Sequence, residues 1–272
     1  MSDSRAIGIF DSGLGGLTVA REIMKLLPQE NIVYFGDTGR VPYGTRSRET
    51  IRRYALEDER FLLSKNVKLI VAACGTVSSV AADTGDSLPV PFIEVVSHSC
   101  YAAAKATKNG KIGVLATSAT VNSGAHREKL LSLLPDAQII EQSGTLLVPL
   151  VEEGWIAADD AVVTGTLERY LEPMKTAGVD TVILGCTHFP VLQGAIRRIL
   201  GEDVMLINMG EAAAERVRDL LLQRDEQNTG LLPPVHRFYV SDKPLSFSRT
   251  ARTLLGDNID ENHVEQVNLK EL

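Results

Sequence analysis

Two kinds of apolar pattern alternate along the chain. Short, mostly apolar runs occupy residues 6–10, 32–35, 69–73, 92–96, 112–116, 138–141, 181–185 and 204–208, and they predict strands. Between them lie longer stretches, at 17–27, 49–66, 99–108, 124–134, 159–177, 189–200 and 211–224, whose apolar residues return at helical spacing. Strand and helix in alternation imply an α/β protein with mainly parallel sheets. Several strands are apolar on both faces, as in a three-layer domain whose sheet is covered by helices on each side.

The pattern also repeats. Lys68-Leu69-Ile70-Val71-Ala72-Ala73-Cys74-Gly75-Thr76 resembles Asp180-Thr181-Val182-Ile183-Leu184-Gly185-Cys186-Thr187-His188. In each, a buried strand ends in a cysteine, a hydroxyl residue comes within two positions, and a helix begins. Open α/β sheets place ligands at the carboxyl ends of their strands. Two similar α/β domains, each presenting a strand-end cysteine, could therefore close around one ligand in the cleft between them. The expected division puts residues 98–209 in the second domain, on the Cys186 side. Residues 1–97 plus 210–272 form the first, on the Cys74 side. Residues 223–234 read as a polar loop, and 236–241 as a late strand rejoining the first sheet.

Composition narrows the function. With 272 residues and 44% hydrophobic content the chain can bury one large core or two small ones. A net charge of −7 argues against partners bound through bulk positive charge, so neither nucleic acid nor an anionic membrane surface is expected. No apolar run reaches the roughly 20 residues of a membrane helix, and the start lacks the layout of a signal peptide. Three widely spaced cysteines suggest neither a disulfide framework nor a zinc ribbon, leaving reduced thiols free for chemistry.

Each candidate site has a plain alternative. Asp11-Ser12-Gly13-Leu14-Gly15-Gly16-Leu17-Thr18 comes after the first strand and opens a helix, a cradle for phosphate or carboxylate. Thr18 stands where a dinucleotide fingerprint wants glycine, and the Walker lysine is absent. The alternative is a tight turn capped by Asp11 or Ser12. The loop Gly36-Asp37-Thr38-Gly39-Arg40-Val41-Pro42-Tyr43-Gly44 is either a connection or a wall offering backbone donors at Tyr43 and Gly44. Cys74 or Cys186 alone would pass for a core cysteine. Both ending strands beside hydroxyl residues or His188 is harder to explain by packing, because turn amides at a helix N-terminus stabilise a thiolate. Cys100 lies within a helical run and reads as core. Zinc at Cys186 and His188 lacks further ligands, and a Cys–His hydrolase leaves Cys74 without a purpose. His98, His126, His236 and His263 are assigned surface or capping positions, and the acids of Val148–Gly154 a solvated helix end.

At these residues the chain resembles the glutamate racemases of the cofactor-independent aspartate/glutamate racemase superfamily. The resemblance runs through residues 9–19, 34–44, the Cys74 segment, 112–121, 148–154 and 185–192. It implies interconversion of L- and D-glutamate in a bacterial cytoplasm, supplying peptidoglycan synthesis, with no cofactor and no metal. It also implies a small-molecule partner, glutamate, and a homodimer. Carried onto this chain, Cys74 is the base toward D-glutamate, assisted by Asp11. Cys186 is the base toward L-glutamate, assisted by His188 and Glu152. Ser12, Pro42, Tyr43, Gly44, Gly75, Thr76, Thr117, Thr120 and Thr187 would hold the substrate. The family usually has Asn where Gly75 stands, so an amide contact to the substrate is expected to be missing. Two other readings stay open: a racemase for aspartate or another amino acid, and a silent binding protein with the same fold.

Overall fold

The computed structural model describes residues 2–243, 247–256 and 264–269. In chain order the strands among them are β1 (Ile7–Asp11), β2 (Ile32–Gly36), β3 (Leu69–Ala72), β4 (Phe92–Glu94), β5 (Lys111–Ala116), β6 (Gln138–Ser143), β7 (Thr181–Gly185), β8 (Met205–Asn208), β9 (His236–Val240) and β10 (Val264–Gln266). The helices are α1 (Leu17–Leu26), α2 (Arg48–Ser64), α3 (Gly75–Val80), α4 (Val95–Ala106), α5 (Ser118–Ser123), α6 (Ala125–Leu133), α7 (Leu147–Glu152), α8 (Ala161–Ala177), α9 (Gln193–Leu200), α10 (Met209–Arg224) and α11 (Phe247–Leu255). Among the described residues no helix is long and apolar enough to cross a membrane.

The strands form two sheets, ordered β10-β9-β2-β1-β3-β4 and β6-β5-β7-β8, and every described pairing is parallel. These are two α/β domains built on one plan. In each, the chain steps outward from a first strand (β1 to β2, β5 to β6) and then crosses to that strand's other side (β3, β7). Where successive connections leave in opposite directions a crevice opens at the carboxyl ends of the strands. The crevices therefore fall between β1 and β3 and between β5 and β7, where the repeated sequence places its two cysteines.

Alternation within the strands assigns the faces. Ile7, Ile9, Leu69 and Val71 point into a core that also holds α1, α4, α10 and the residues of the second sheet. Phe10, Ile70, Ala72, Val33 and Phe35 point the other way, onto Phe61 and Leu62 of α2. Helix α4 packs on both α10 and α6, so the core is continuous from one sheet to the other. Beneath the first sheet Lys68 is fully buried, with Nζ 2.6 Å from Glu30 Oε2 and donating to the carbonyls of Asp3 and Glu226. Pairing and two further acceptors are what such a buried charge requires.

Some boundaries differ from the expectation. Strand and helix were expected at 92–96 and 99–108, but the Glu94 carboxylate accepts from the amides of Val96 and Ser97. This N-cap ends β4 and starts α4 at Val95. The single helix expected at 189–200 begins as a 3₁₀ turn, Phe189–Leu192, containing Pro190.

His126 corrects a second expectation: it is fully buried at the start of α6, and neither ring nitrogen has a hydrogen-bond partner among the described residues. His98 and His236 are partly buried, and His263 lies outside the described residues. Burial alone pulls His126 down to about 4. A depressed histidine contributes stability above its ordinary value near 6.5 and loses it as pH falls through 4. His126→Leu, which removes two unpaired nitrogens at similar volume, is expected to flatten the decline in melting temperature between pH 6.5 and 4. Parallel melting profiles for the two proteins would show that His126 does not set acid stability.

Candidate active site

The two crevices face each other across one cavity of about 380 Å³, at the small end of the range for ligand pockets. Cys74 and Gly75 enter it from the end of β3, Thr117 and Ser118 from the end of β5, and Cys186, Thr187 and His188 from the end of β7. The Ser12–Gly13 turn after β1 forms one wall. The loop Val41–Thr45 forms another, and residues of the segment from Gly144 to Glu152 a third. A larger hollow of about 1,030 Å³ lies between α2 and residues 266–269, but among the described residues no cysteine or histidine lines it.

Both cysteines are free and buried. Cys74 Sγ lies 3.4 Å from Ser12 Oγ. Burial pushes its thiol up to about 12, and the nearby Asp11 carboxylate adds to the shift. Asp11 is itself buried. One carboxylate oxygen accepts from the Gly13 amide at 3.0 Å, and the other has no hydrogen-bond partner among the described residues. Burial raises its pKa, against the pull of His188 and of the surrounding amides. Across the cavity, Cys186 Sγ stands 3.7 Å from His188 Nδ1. His188 Nε2 faces Glu152 Oε1 at 3.4 Å, an ion-pair distance without well-directed hydrogen-bond geometry. Burial works against charge on His188, but its contacts to Cys186 and Glu152 outweigh it and raise the imidazole to about 10. The two thiols thus sit in different settings, one beside a carboxyl group and one beside a cationic imidazole backed by a carboxylate.

Of the residues picked out in the sequence, Ser12, Pro42, Tyr43, Gly44, Gly75, Thr76, Thr117, Thr187, Cys74, Cys186, His188 and Glu152 all line this cavity. Asp11 and Thr120 do not. Thr120 is buried behind Thr117, whose hydroxyl donates to it at 3.0 Å, so Thr120 braces a lining residue. Lining residues that sequence reasoning missed include Ser118, Thr145 and Pro149. The signal for Thr145 was its place just after a parallel strand. Strand β6 runs to Ser143, two residues beyond its expected end, which brings Gly144 and Thr145 to the cavity.

The Tyr43 side chain does not project into the cavity mouth. It is buried, and its hydroxyl donates to Asp37 and to Asp58, the latter at 3.1 Å. Arg40 pairs with Asp37, Asp58 and Glu57, and Ser241 donates to Asp37 at 2.7 Å. This network anchors the loop from below, and Tyr34 does the same for the glycine turn by donating to the Gly13 carbonyl at 2.8 Å. Among the described residues, the lining apart from His188 and Glu152 carries no formal charge. A polar ligand would be held by hydroxyls and backbone amides around one histidine.

Comparison with known proteins agrees with this layout. The model of the Asp/Glu/hydantoin racemase family matches residues 15–217. A glutamate racemase of Syntrophus aciditrophicus is 43% identical over 264 residues, covering 97% of this chain and 96% of the relative. The crystal structure of the Francisella tularensis glutamate racemase in complex with D-glutamate has a TM-score of 0.91 at 35% identity, covering 99% of this chain and all of that one. That of the Thermus thermophilus enzyme in complex with beta-chloro-D-alanine has a TM-score of 0.88 at 38% identity, covering both chains completely. The chain belongs to the Asp/Glu/hydantoin racemase family. The family span takes in both cysteines, His188 and Glu152, and it begins just after Asp11 and Ser12.

Proposed function

We propose that this protein is a glutamate racemase working by two-base proton transfer between Cys74 and Cys186. The observation that carries the reading is the pair of free thiols lining one amino-acid-sized cavity from the strand ends of two different domains. Inverting a carbon without a cofactor needs one group to take the α-proton and another to deliver a proton on the opposite face. From L-glutamate, Cys186 as thiolate takes the proton, and the Cys74 thiol donates to the other face of the carbanion. The product is D-glutamate with Cys186 protonated and Cys74 as thiolate. The reverse reaction exchanges the roles.

The energetics assign the resting state on the Cys74 side. Ionising a thiol at about 12 costs about 7 kcal/mol at pH 7, so Cys74 rests as the loaded acid. In the D-to-L direction, the substrate ammonium entering beside Cys74 would offset part of that cost. His188, cationic at neutral pH, exchanges protons with Cys186 and is oriented by Glu152. Asp11 acts on Cys74 from behind the Ser12 turn. Ser12, Thr76, Thr117 and Thr187 supply hydroxyls to the substrate's carboxylates and ammonium, and Tyr43 and Gly44 supply backbone groups. The division into residues 98–209 and the remainder belongs to the same proposal, as do a cytoplasmic homodimer and the supply of D-glutamate for peptidoglycan. The grouping of β5–β8 in a sheet of their own supports the division, and family membership supports the wider statements.

The deciding experiment tracks the α-proton of L- and of D-glutamate in D₂O by NMR. Racemisation with one solvent deuterium in the product supports the assignment. Absence of exchange from both enantiomers removes glutamate as substrate and directs the same assay to aspartate and other amino acids.

A further inference from the structure

Behind the two cysteines the domains touch through main chain. Gly75 comes directly after Cys74, and Gly185 directly before Cys186. A Cβ placed on Gly75 would stand 2.6 Å from the Gly185 carbonyl oxygen. Carbon and carbonyl oxygen normally come no nearer than about 3.3 Å, even in favourable contacts. The obstacle is the backbone end of a buried strand, which has no rotamer to change. Relief would need the domains to part by about 0.7 Å at this point.

The seam around this contact is closed by hydroxyls. Thr18 Oγ1 donates to the Thr187 carbonyl at 2.7 Å, and the Thr76 and Thr117 hydroxyls bond at 3.2 Å. Gly15 shows the same constraint from the first wall, since a Cβ there would meet Thr187 Oγ1 at 2.2 Å. Each of these contacts joins a segment of the β1–β3 crevice to one of the β5–β7 crevice. The Gly75–Gly185 contact lies one residue from each sulfur, so displacement there passes to the thiol–thiol gap with little lever arm to absorb it.

We infer that Gly75 is a positioning residue whose missing side chain sets the separation of the two thiols, and with it the fit of a carbon centre held between them. This rests on the two-thiol reading above. In this chain the Gly185 carbonyl occupies the direction in which a side chain at position 75 would leave the backbone.

The test uses thiol-bridging alkylating reagents of graded length on wild type and Gly75→Ala, with the Cys74–Cys186 cross-linked peptide quantified by mass spectrometry. This readout needs no turnover. The shortest reagent that bridges wild type is expected to lose at least about fivefold in yield relative to the next longer one. For the amino acid that wild type racemises, kcat is expected to fall about 10- to 100-fold, with KM changing less, the scale of a misplacement near 1 Å. Thr18→Val, which removes a seam hydrogen bond outside the cavity lining, is expected to shift the profile the same way by less. It decides the matter alone if Gly75→Ala does not fold. An unchanged bridging profile in the folded variant overturns the proposal, as does a wild type in which no reagent joins the two cysteines. A wild type that bridges and responds to Gly75→Ala but leaves glutamate's α-proton in place refutes the substrate, not the spacing.

Discussion

Cys74→Ser and Cys186→Ser are each expected to lower glutamate racemisation by at least about 10³-fold while leaving the fold intact. Serine keeps the size and the hydrogen-bonding but is far less acidic than a thiol. General acid–base groups contribute about 10²–10⁴ in rate, and each turnover needs both. The two variants differ in a way that identifies the faces. Cys74→Ser still holds Cys186 beside His188, so it should wash the α-proton out of L-glutamate faster than it forms product. Cys186→Ser should show the converse preference for D-glutamate. Circular dichroism gives the racemisation rate and NMR in D₂O the exchange. Retention of more than a tenth of wild-type racemisation by either serine variant would show that the corresponding thiol is not a required base.

Substituting His188 should affect both chemistry and stability. His188→Asn removes the group that exchanges protons with Cys186, and kcat/KM is expected to fall about 10²- to 10³-fold. In the folded protein His188 is raised from near 6.5 to about 10, so folding favours its cation. The stabilisation is therefore complete below pH 6.5 and is lost as pH rises to 10. The full shift would amount to a few kcal/mol, reduced because its partner Glu152 is half exposed. Wild type should lose melting temperature steadily between pH 6.5 and 10, and His188→Asn should lose much less. The Cys74 thiol, raised from near 9 to about 12, adds a loss of the same sign only above pH 9. If the two proteins melt in parallel across this range, the imidazole carries no cation of structural weight.

Legible in the sequence of this site was whatever depends on neighbours along the chain. Strands such as 69–72 and 181–185 are buried on both faces, so composition alone marks them, and a cysteine stands just past the end of each. The glycine turn after β1 was legible for the same reason. Contacts between distant residues were not. Thr120 and Ser118 differ in role because α5 turns one hydroxyl inward and the other to the cavity, which spacing does not decide at a helix start. The Arg40–Asp58–Tyr43 network joins a loop to a helix face, and three carboxylates near one arginine look in sequence like a solvated surface. Gly75 and Gly185 are 110 positions apart, and only the packed domains reveal that one leaves room for the other. His126 was misplaced because a single histidine in an amphipathic helix carries no mark of which face it occupies.

The order of strands also bears on how the protein is made. Strand β2 pairs with β1 on one side and with β9 on the other, Ile32 lying opposite His236. During synthesis β2 leaves the ribosome early, while its second partner waits for all of the smaller sheet, residues 111–208, to be translated. At about 5–20 residues per second that interval is on the order of 10–40 s. Throughout it the apolar edge Ile32–Gly36 offers unpaired amides and carbonyls to any passing chain. The smaller sheet, whose strands neighbour one another in sequence, can meanwhile complete its ladder. A nascent chain of this protein is therefore half folded and sticky until its last 37 residues appear, and chaperone demand should track translation of that final stretch rather than of the cysteine motifs.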